Sequence, residues 1–458
     1  MVNIIGIRRE DKNPWERRVP LIPSHIRELM KAQGLKFHIQ PSSIRVFADE
    51  DFRLEGAKVQ ESLELCPVIM AVKEIPLSFL EKGKIYFLFS HTVKGQPGNM
   101  PMLRRMVDLG CTLIDYEKIV DEKGRRLVFF GRQAGEAGMI DTLWALGRRL
   151  VLEGLANPFS ELRQTYHYQS VVEAKEEIAE IGEGIRRNGL PRELVPFICG
   201  LTGDGHVSQG AQEMFDLLPS DEIFPEEYDA FISHRNFSAN RVYKIVFREE
   251  NLVKPIDAGQ PFELQDYYDH PEKYTPVLEN YVPQMTVLVN GIYWAPKYPR
   301  FLTKKFIRDL YAPADPSAPG QSGAAARPRL KVIADISCDV GGALECTVQA
   351  TNPKDPVFVY DPVADNAIPG FAGNGPVVMA VDNLPAEIPL ESSVFFSQSL
   401  KPFLPAIAHA DFSRSFADCW LPDPIRKAVI LYKGEFTPAY RYMTDFLKPR
   451  TIEEDRHS

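Results

Sequence analysis

This 458-residue chain is poor in the features that mark several protein classes. It has no run of about 18 apolar residues, so no transmembrane helix and no membrane partner are expected. Positive charge is not in excess. Lys and Arg number 53 against 62 Asp and Glu, and the net charge of −9 gives nucleic-acid binding no global electrostatic support. The six cysteines (Cys66, Cys111, Cys199, Cys338, Cys346, Cys419) lie far apart and form no CxxC. They are expected to be reduced core thiols in a reducing, cytoplasmic compartment. The nine histidines are scattered without metal-ligand spacing, so no metal is expected. The start, "MVNIIGIRRE", lacks both the apolar core of a signal peptide and the acid-poor, Arg/Ser-rich look of a transit peptide. No internal repeat and no heptad array is visible.

What is present reads as alternating strands and helices. The length exceeds one ordinary core, so two or three domains are expected. "NIIGIRR", "KFHIQ", "VIMAVK", "KIYFLFS" and "CTLIDY" are apolar runs of strand length. Between them stand amphipathic stretches such as "PSHIRELMKAQG", with Ile26, Leu29 and Met30 on one face and Gly34 as a stop. This alternation predicts a parallel sheet covered by helices. "DEKGRRLVFF" predicts a turn at Lys123-Gly124 leading into a further strand. Residues 136–190 read as mostly helical, and "LVPFICG" opens a second strand–helix series with "DEIF", "VYKIVF", "MTVLVNGIYW" and "LKVIADIS". Residues 311–330, rich in Pro, Ala, Gly and Ser, read as a surface loop. Residues 386–410 and 421–447 read as helical with few strands of their own. Such helices must pack on something built earlier. The expected domains are therefore 1–140 completed by 386–458, and 141–385.

"FICGLTGDGHVSQGAQEMF" carries the clearest motif. Gly203 permits a tight turn, Gly205 lets backbone approach a pyrophosphate, and Ser208 is small enough for close helix–strand packing. Gly210 follows in the same run. Phosphates would sit on the helix N-terminus. An ordinary glycine-rich turn is the bland alternative. The apolar strand before it, the helix after it and an acidic residue about 20 positions on favour a dinucleotide. Glu222 and Glu226 are the acidic candidates; a carboxylate there suits NAD, whereas NADP needs a cation, for which Arg235 and Arg241 stand nearby.

Ligands of open α/β sheets bind at the carboxyl ends of strands. "VIMAVK" ends on Lys73, and "KIYFLFS" ends on His91 with Lys94 and Gln96 behind it. Arg8 and Arg9 follow "NIIGI", and Arg17 and Arg18 offer bidentate donors. Each alone reads more readily as a solvated turn residue; recurrence at adjacent strand ends makes a site an equally good reading. "ISCDVGGALE" ends a strand on Asp339, and "VVMAVDNLPAEIP" ends one on Asp382-Asn383, either beside a ligand or as turn formers.

Together these pieces, with "REDKNPWERRVPLIP", "LIDYEKIVDEKGRR" and "FGRQAGEAGMIDTL", resemble the lysine–2-oxoglutarate reductase half of the bifunctional aminoadipic semialdehyde synthases. More distantly they resemble lysine-forming saccharopine dehydrogenases and alanine dehydrogenase. The resemblance runs from about residue 3 to about 448 and lacks the saccharopine-cleaving half, which implies a stand-alone reductase. It implies an α/β fold of two Rossmann-like, doubly wound domains with the active site in the interdomain cleft. By motif, Lys73 and His91 match the acid–base pair. Arg18, Lys94, Gln96, Arg126 and Phe130 match substrate contacts. Arg125, Gly203, Gly205, His206, Val207, Glu226, Val381, Asp382, Asn383 and Leu384 match cofactor contacts, and Asp339 matches an aspartate near the nicotinamide. Asp204 departs from the lysine-forming enzymes.

The implied reaction joins the ε-amine of L-lysine to the ketone of 2-oxoglutarate, with NAD(P)H reducing the imine to saccharopine. The reductase family favours NADPH, whereas Glu226 favours NADH. Three carboxylates to be held explain a demand for Arg18, Lys94 and Arg126. The alternatives are NAD-dependent cleavage of saccharopine to lysine, an alanine-dehydrogenase-like deamination, and a catalytically silent nucleotide-binding protein. A homo-oligomer is compatible with all of them.

Overall fold

The computed structural model describes residues 3–312 and 328–448, so the loop expected at 311–330 lies largely outside the described residues. The chain forms two units, 1–130 with 389–458, and 131–388. The expected boundary at 140 falls inside one helix, Gly131–Leu152, which belongs whole to the second unit.

In the first unit the elements run β1 (Ile4–Ile7), α1 (Pro23–Gln33), β2 (Lys36–Ile39), α2 (Asp49–Leu54), β3 (Lys58–Val59), β4 (Val68–Met70), β5 (Ile85–Leu88), α3 (Met100–Asp108) and β6 (Thr112–Asp115). Strand order is β3-β2-β1-β4-β5-β6, all parallel, reversing between β1 and β4. Every residue of β4, β5 and β6 is buried, as expected of parallel strands covered on both faces. α1 starts at Pro23, where the missing N–H costs nothing, and stops at Gly34, whose φ of +65° is the left-handed cap a glycine accepts.

The second unit contains α4 (Gly131–Leu152), α5 (Val171–Asn188), β7 (Ile198–Thr202), α6 (His206–Phe215), β8 (Ser220–Glu222), β9 (Val242–Phe247), β10 (Val253–Pro255), β11 (Tyr274–Pro276), β12 (Val287–Asn290), β13 (Val332–Asp335), β14 (Val357–Asp361), β15 (Asn366–Pro369) and β16 (Val377–Met379). Its main sheet runs β8-β9-β7-β12-β13-β16-β14-β15 and again reverses beside its first strand, between β7 and β12. Alternation along β7 sorts the core. Cys199 and Leu201 face α4, α5 and α6, whereas Ile198 joins the cluster on the other face with Tyr243, Ile245 and Phe247.

Two strand expectations change. "LVFF" forms no strand; an isolated Val120–Arg126 bridge closes the turn, and Val128 and Phe130 enter the core as side chains. The expected helix over 421–447 is interrupted by β17 (Val429–Tyr432) and β18 (Glu435–Phe436). β17 pairs antiparallel with β6 and extends the first sheet to eight strands. "VILY" is four buried apolar residues, too short for a helical stripe and suited to a covered strand. The antiparallel hairpin of β14 and β15, missed in the sequence, borders the second sheet.

The C-terminal helix Pro389–Leu400 is part of the first core through Phe396 and Leu400. Its serines also serve backbone donors near the start of α1. Ser393 Oγ accepts Val19 N–H and Ser397 Oγ accepts Ile22 N–H, both at 3.0 Å, while His25 Nδ1 lies 2.7 Å from Ser397 Oγ. Ser397→Ala leaves a buried N–H and an imidazole nitrogen unpartnered. It is expected to destabilise the first unit by about 1–3 kcal/mol, read as a lowered urea midpoint.

Candidate active site

The carboxyl ends of β1, β4, β5 and β6 gather the polar residues of the first unit. β4 leads through Ala71 and Val72 to Lys73 and Glu74, and β5 leads through Phe89 and Ser90 to His91. His91 Nδ1 and Glu74 Oε1 are 2.7 Å apart. Glu74 also binds Lys12 Nζ at 2.7 Å, and Asn99 Nδ2 reaches both Glu74 Oε1 (3.3 Å) and the His91 carbonyl (3.1 Å). Burial opposes ionisation of Glu74, but hydrogen bonds from His91 and Lys12 hold its carboxyl down to about 2. A carboxylate at Nδ1 fixes the ring and leaves Nε2 for proton exchange. His91 adopts φ of +47°, a left-handed conformation that costs a non-glycine residue about 1 kcal/mol or more. The turn is held from below, where Asp115 accepts both Ser90 N–H (3.2 Å) and Ser90 Oγ–H, and Thr92 Oγ1 joins at 2.8 Å.

Lys73 is placed by its backbone. Glu10, after β1, accepts Val72 N–H (2.7 Å) and Lys73 N–H (3.0 Å). Burial and the nearby Glu16 charge raise the Glu10 carboxyl to about 7. Burial first, and then the Arg18 guanidinium, push the half-buried Lys73 ammonium below the usual lysine range. Arg18 and Glu16 form a buried bidentate pair, with Nε and Nη2 each 2.7 Å from a carboxylate oxygen, and the Arg18 guanidinium lies 4.7 Å above the Phe130 ring. A substrate carboxylate would therefore meet a guanidinium that already has one partner. Glu10, Glu16, Glu74 and Asn99 were missed in the sequence. Glu74 was the most accessible of them, being adjacent to Lys73, but nothing local says that it reaches the end of β5.

The remaining expected contacts are more exposed. Lys94 is exposed, and its backbone N–H reaches Gln96 Oε1 at 3.3 Å. The C-terminal segment Pro438–Leu447 clasps this loop. Tyr442 Oη donates to the Val93 carbonyl at 3.0 Å, and a Cβ on Gly95, itself at φ +69°, would stand 3.0 Å from the Phe446 ring. Arg126 pairs with Glu117 (3.2 Å), and Arg125 with Asp121 (2.7 Å). Arg9 pairs with the exposed Glu61, and Arg17 Nε donates to the Ile44 carbonyl, so neither joins the cluster through a described bond.

In the second unit Gly203 leaves β7 at φ +81° and Gly205 is the residue before α6. A Cβ on Gly205 would meet nothing within 4 Å, so open space lies where a pyrophosphate would approach the helix N-terminus. His206 is exposed and Val207 partly so. These residues fit a dinucleotide. Ser208 is buried and packs its N–H 3.4 Å from the Cβ position of Gly291 after β12, the close approach expected of the third motif position. Gly210 has another role. Its Cβ would stand 2.1 Å from the Arg132 carbonyl, so it lets α6 lie against α4, as Gly135 does from the α4 side.

At the other strand ends, β13 stops at Asp335 rather than Asp339, and β16 at Met379 rather than Asp382. Asp335 accepts from Asn290 Nδ2 (2.8 Å) and Thr347 Oγ1 (2.6 Å), while Asn290 Oδ1 accepts from Thr202 (2.6 Å). This chain ties the ends of β7, β12 and β13, and burial raises the Asp335 carboxyl to about 6. Asp339 and Asp382 are exposed, and Asn383 is half-buried. Val381 and Leu384 point into the core, so a ligand would meet their backbone. Arg241 pairs with Asp221 at the amino end of β9, away from the glycine loop. No helix among the described residues is long and apolar enough to cross a membrane, and among the same residues no group of three or more His, Cys, Asp or Glu is placed to hold a metal ion.

Residues 6–137 match the family model of the alanine dehydrogenase/PNT N-terminal domain, and residues 329–439 that of its C-terminal domain. Alpha-aminoadipic semialdehyde synthase of Arabidopsis thaliana is 35% identical over 98% of this chain and 42% of its own length. Saccharopine dehydrogenase [NAD(+), L-lysine-forming] of Emericella nidulans is 27% identical over 88% of this chain and 91% of its own. The chain thus spans less than half the length of the semialdehyde synthases it matches. Among solved structures, an L-alanine dehydrogenase superposes with a TM-score of 0.61 at 18% identity, covering 97% of this chain and all of that one, which shows the fold.

The raised carboxyl of Glu10 has a thermodynamic consequence. The folded state keeps a proton up to about pH 7 that the unfolded chain releases near 4.5, so stability falls as pH rises through that window. Glu10→Gln keeps an acceptor and removes the titration. Its Tm is expected to decline less than that of the wild type across the same window, and equal slopes would contradict the assignment.

Proposed function

The chain belongs to the alanine dehydrogenase/PNT family, and from that premise we propose that it is a nicotinamide-dependent oxidoreductase acting on a carbon–nitrogen bond, condensing L-lysine with 2-oxoglutarate to saccharopine. One observation carries the reading: Lys73 and Glu74 leave β4 side by side, and Glu74 holds His91 at the end of β5. Its likeness to semialdehyde synthases and to a saccharopine dehydrogenase supports the substrate class.

The chemistry needs a base to free the amine and an acid to release water from the carbinolamine. Lys73, held below its usual range by burial and by Arg18, is the base that takes the ammonium proton. His91, with Nδ1 engaged by Glu74, delivers a proton from Nε2 to the departing oxygen. Arg18, Lys94 and Arg126 balance the charge of the substrates' carboxylates, and Phe130 supports Arg18 from one face. NAD(P)H, when bound at the glycine loop, supplies the hydride. By microscopic reversibility the same residues serve cleavage of saccharopine to lysine. That second reading is favoured by the match to the lysine-forming enzyme over most of that relative's length.

The test is loss of reduced-nicotinamide absorbance with 2-oxoglutarate and a panel of amines including L-lysine and L-alanine. Lysine-dependent oxidation is expected. His91→Ala and Lys73→Met should each lower kcat roughly 10²–10⁴-fold, and undiminished turnover in either would remove it from the acid–base pair.

A further inference from the structure

The identity of the dinucleotide is written in the strand order of the second unit. In folds of this type the residue that reads the adenosine ribose stands at the end of the strand beside the first one. Glu222 ends β8 and Glu226 follows it, but β8 is the edge strand and pairs with β9 alone. β9 is the strand beside β7, in register from Ile198 opposite Tyr243 to Thr202 opposite Phe247. The Phe247 carbonyl accepts the N–H of Gly203 at 2.8 Å. The residue that leaves this strand next to the first glycine is therefore Arg248.

Arg248 already has one carboxylate partner for its guanidinium. Its Nε lies 2.9 Å from Oδ2 of Asp204, the residue between the two glycines of the loop. Its backbone N–H donates to Asn251 Oδ1 at 3.0 Å, and Asn251 Nδ2 donates to Glu226 Oε1 at 3.2 Å. These residues line a cleft of about 380 Å³ that carries four carboxylates, Asp204, Glu222, Glu226 and Glu250, against one cation. Asp204 and Arg248 keep 53% and 61% of their side-chain surface exposed. Such a pair adds little to stability, so its consequence lies in what it offers a ligand.

We propose that Asp204 sets cofactor selectivity: paired with Arg248 Nε, it competes with a 2′-phosphate for the one guanidinium of the cleft and repels that phosphate, so the cleft takes NADH in preference to NADPH. A ribose diol has two hydroxyl donors that suit a carboxylate-rich wall. A 2′-phosphate brings further negative charge among four carboxylates and competes with Asp204 for the one guanidinium. The inference rests on the dinucleotide reading given above and concerns binding alone, so it is independent of the amino-acid substrate.

The test is titration of purified protein with NADH and with NADPH, followed by nicotinamide fluorescence and calorimetry. The wild type is expected to bind NADH about tenfold or more tightly than NADPH. Asp204→Asn should tighten NADPH by about tenfold with little change in NADH, and adding Arg248→Ala to that variant should abolish the gain. Tighter binding of NADPH by the wild type, or an unchanged preference in Asp204→Asn, would overturn the proposal. Failure of both nucleotides to bind would overturn the dinucleotide reading itself.

Discussion

Each large sheet reverses its strand order once, between β1 and β4 and between β7 and β12. Parallel strands must be joined by crossovers, and at a reversal the crossovers on the two sides go to opposite faces. The carboxyl ends there are left uncovered, with backbone and side chains free to meet a ligand. Arg8, Glu10, Lys73 and Glu74 follow the strands at the first reversal; Gly203, Asp204 and Gly291 follow those at the second. The covered faces are apolar, so the ionisable residues of this region concentrate at these openings.

Bringing so many charges to one edge requires that they compensate one another. In the first unit Glu16 pairs with Arg18, Glu74 faces both Lys12 and His91, and the Glu10 carboxyl is raised to about 7. Lys73 stands among these groups with a depressed affinity for its proton because burial and Arg18 both disfavour the charged form. The second unit solves the problem with hydrogen bonds. Thr202, Asn290, Asp335 and Thr347 form one buried chain across three strand ends. The first arrangement leaves ionisable groups with shifted proton affinities at the strand ends, whereas the second ties three strand ends together.

The strands, the long helices and the glycine loop were legible in the sequence because each is a local pattern: a short apolar run, a helical stripe ended by Gly34, two glycines between strand and helix. Lys73 and His91 were legible for the same reason, as polar residues that end apolar runs. Glu10 and Glu16 were not, because "REDKNPWERR" contains so many charges that none stands out. β17 was misread because "VILY" is apolar in both readings and only the open edge of β6 makes it a strand. Gly210 looked like part of the phosphate loop, yet the carbonyl of Arg132, 78 positions earlier, is what requires its missing side chain.

The sequence by itself determined the two α/β units, the place of the glycine loop and the ionisable strand ends, since each depends on residues close in the chain. Tertiary structure alone decided partnership. It joined Glu74 to His91, lent Ser393 and Ser397 to backbone near α1, and inserted β9 between β7 and β8. That insertion puts Arg248, rather than Glu226, just past the end of the strand beside β7. Strand order is a choice among non-local hydrogen-bonded pairings, and no local periodicity encodes which strand will lie beside which.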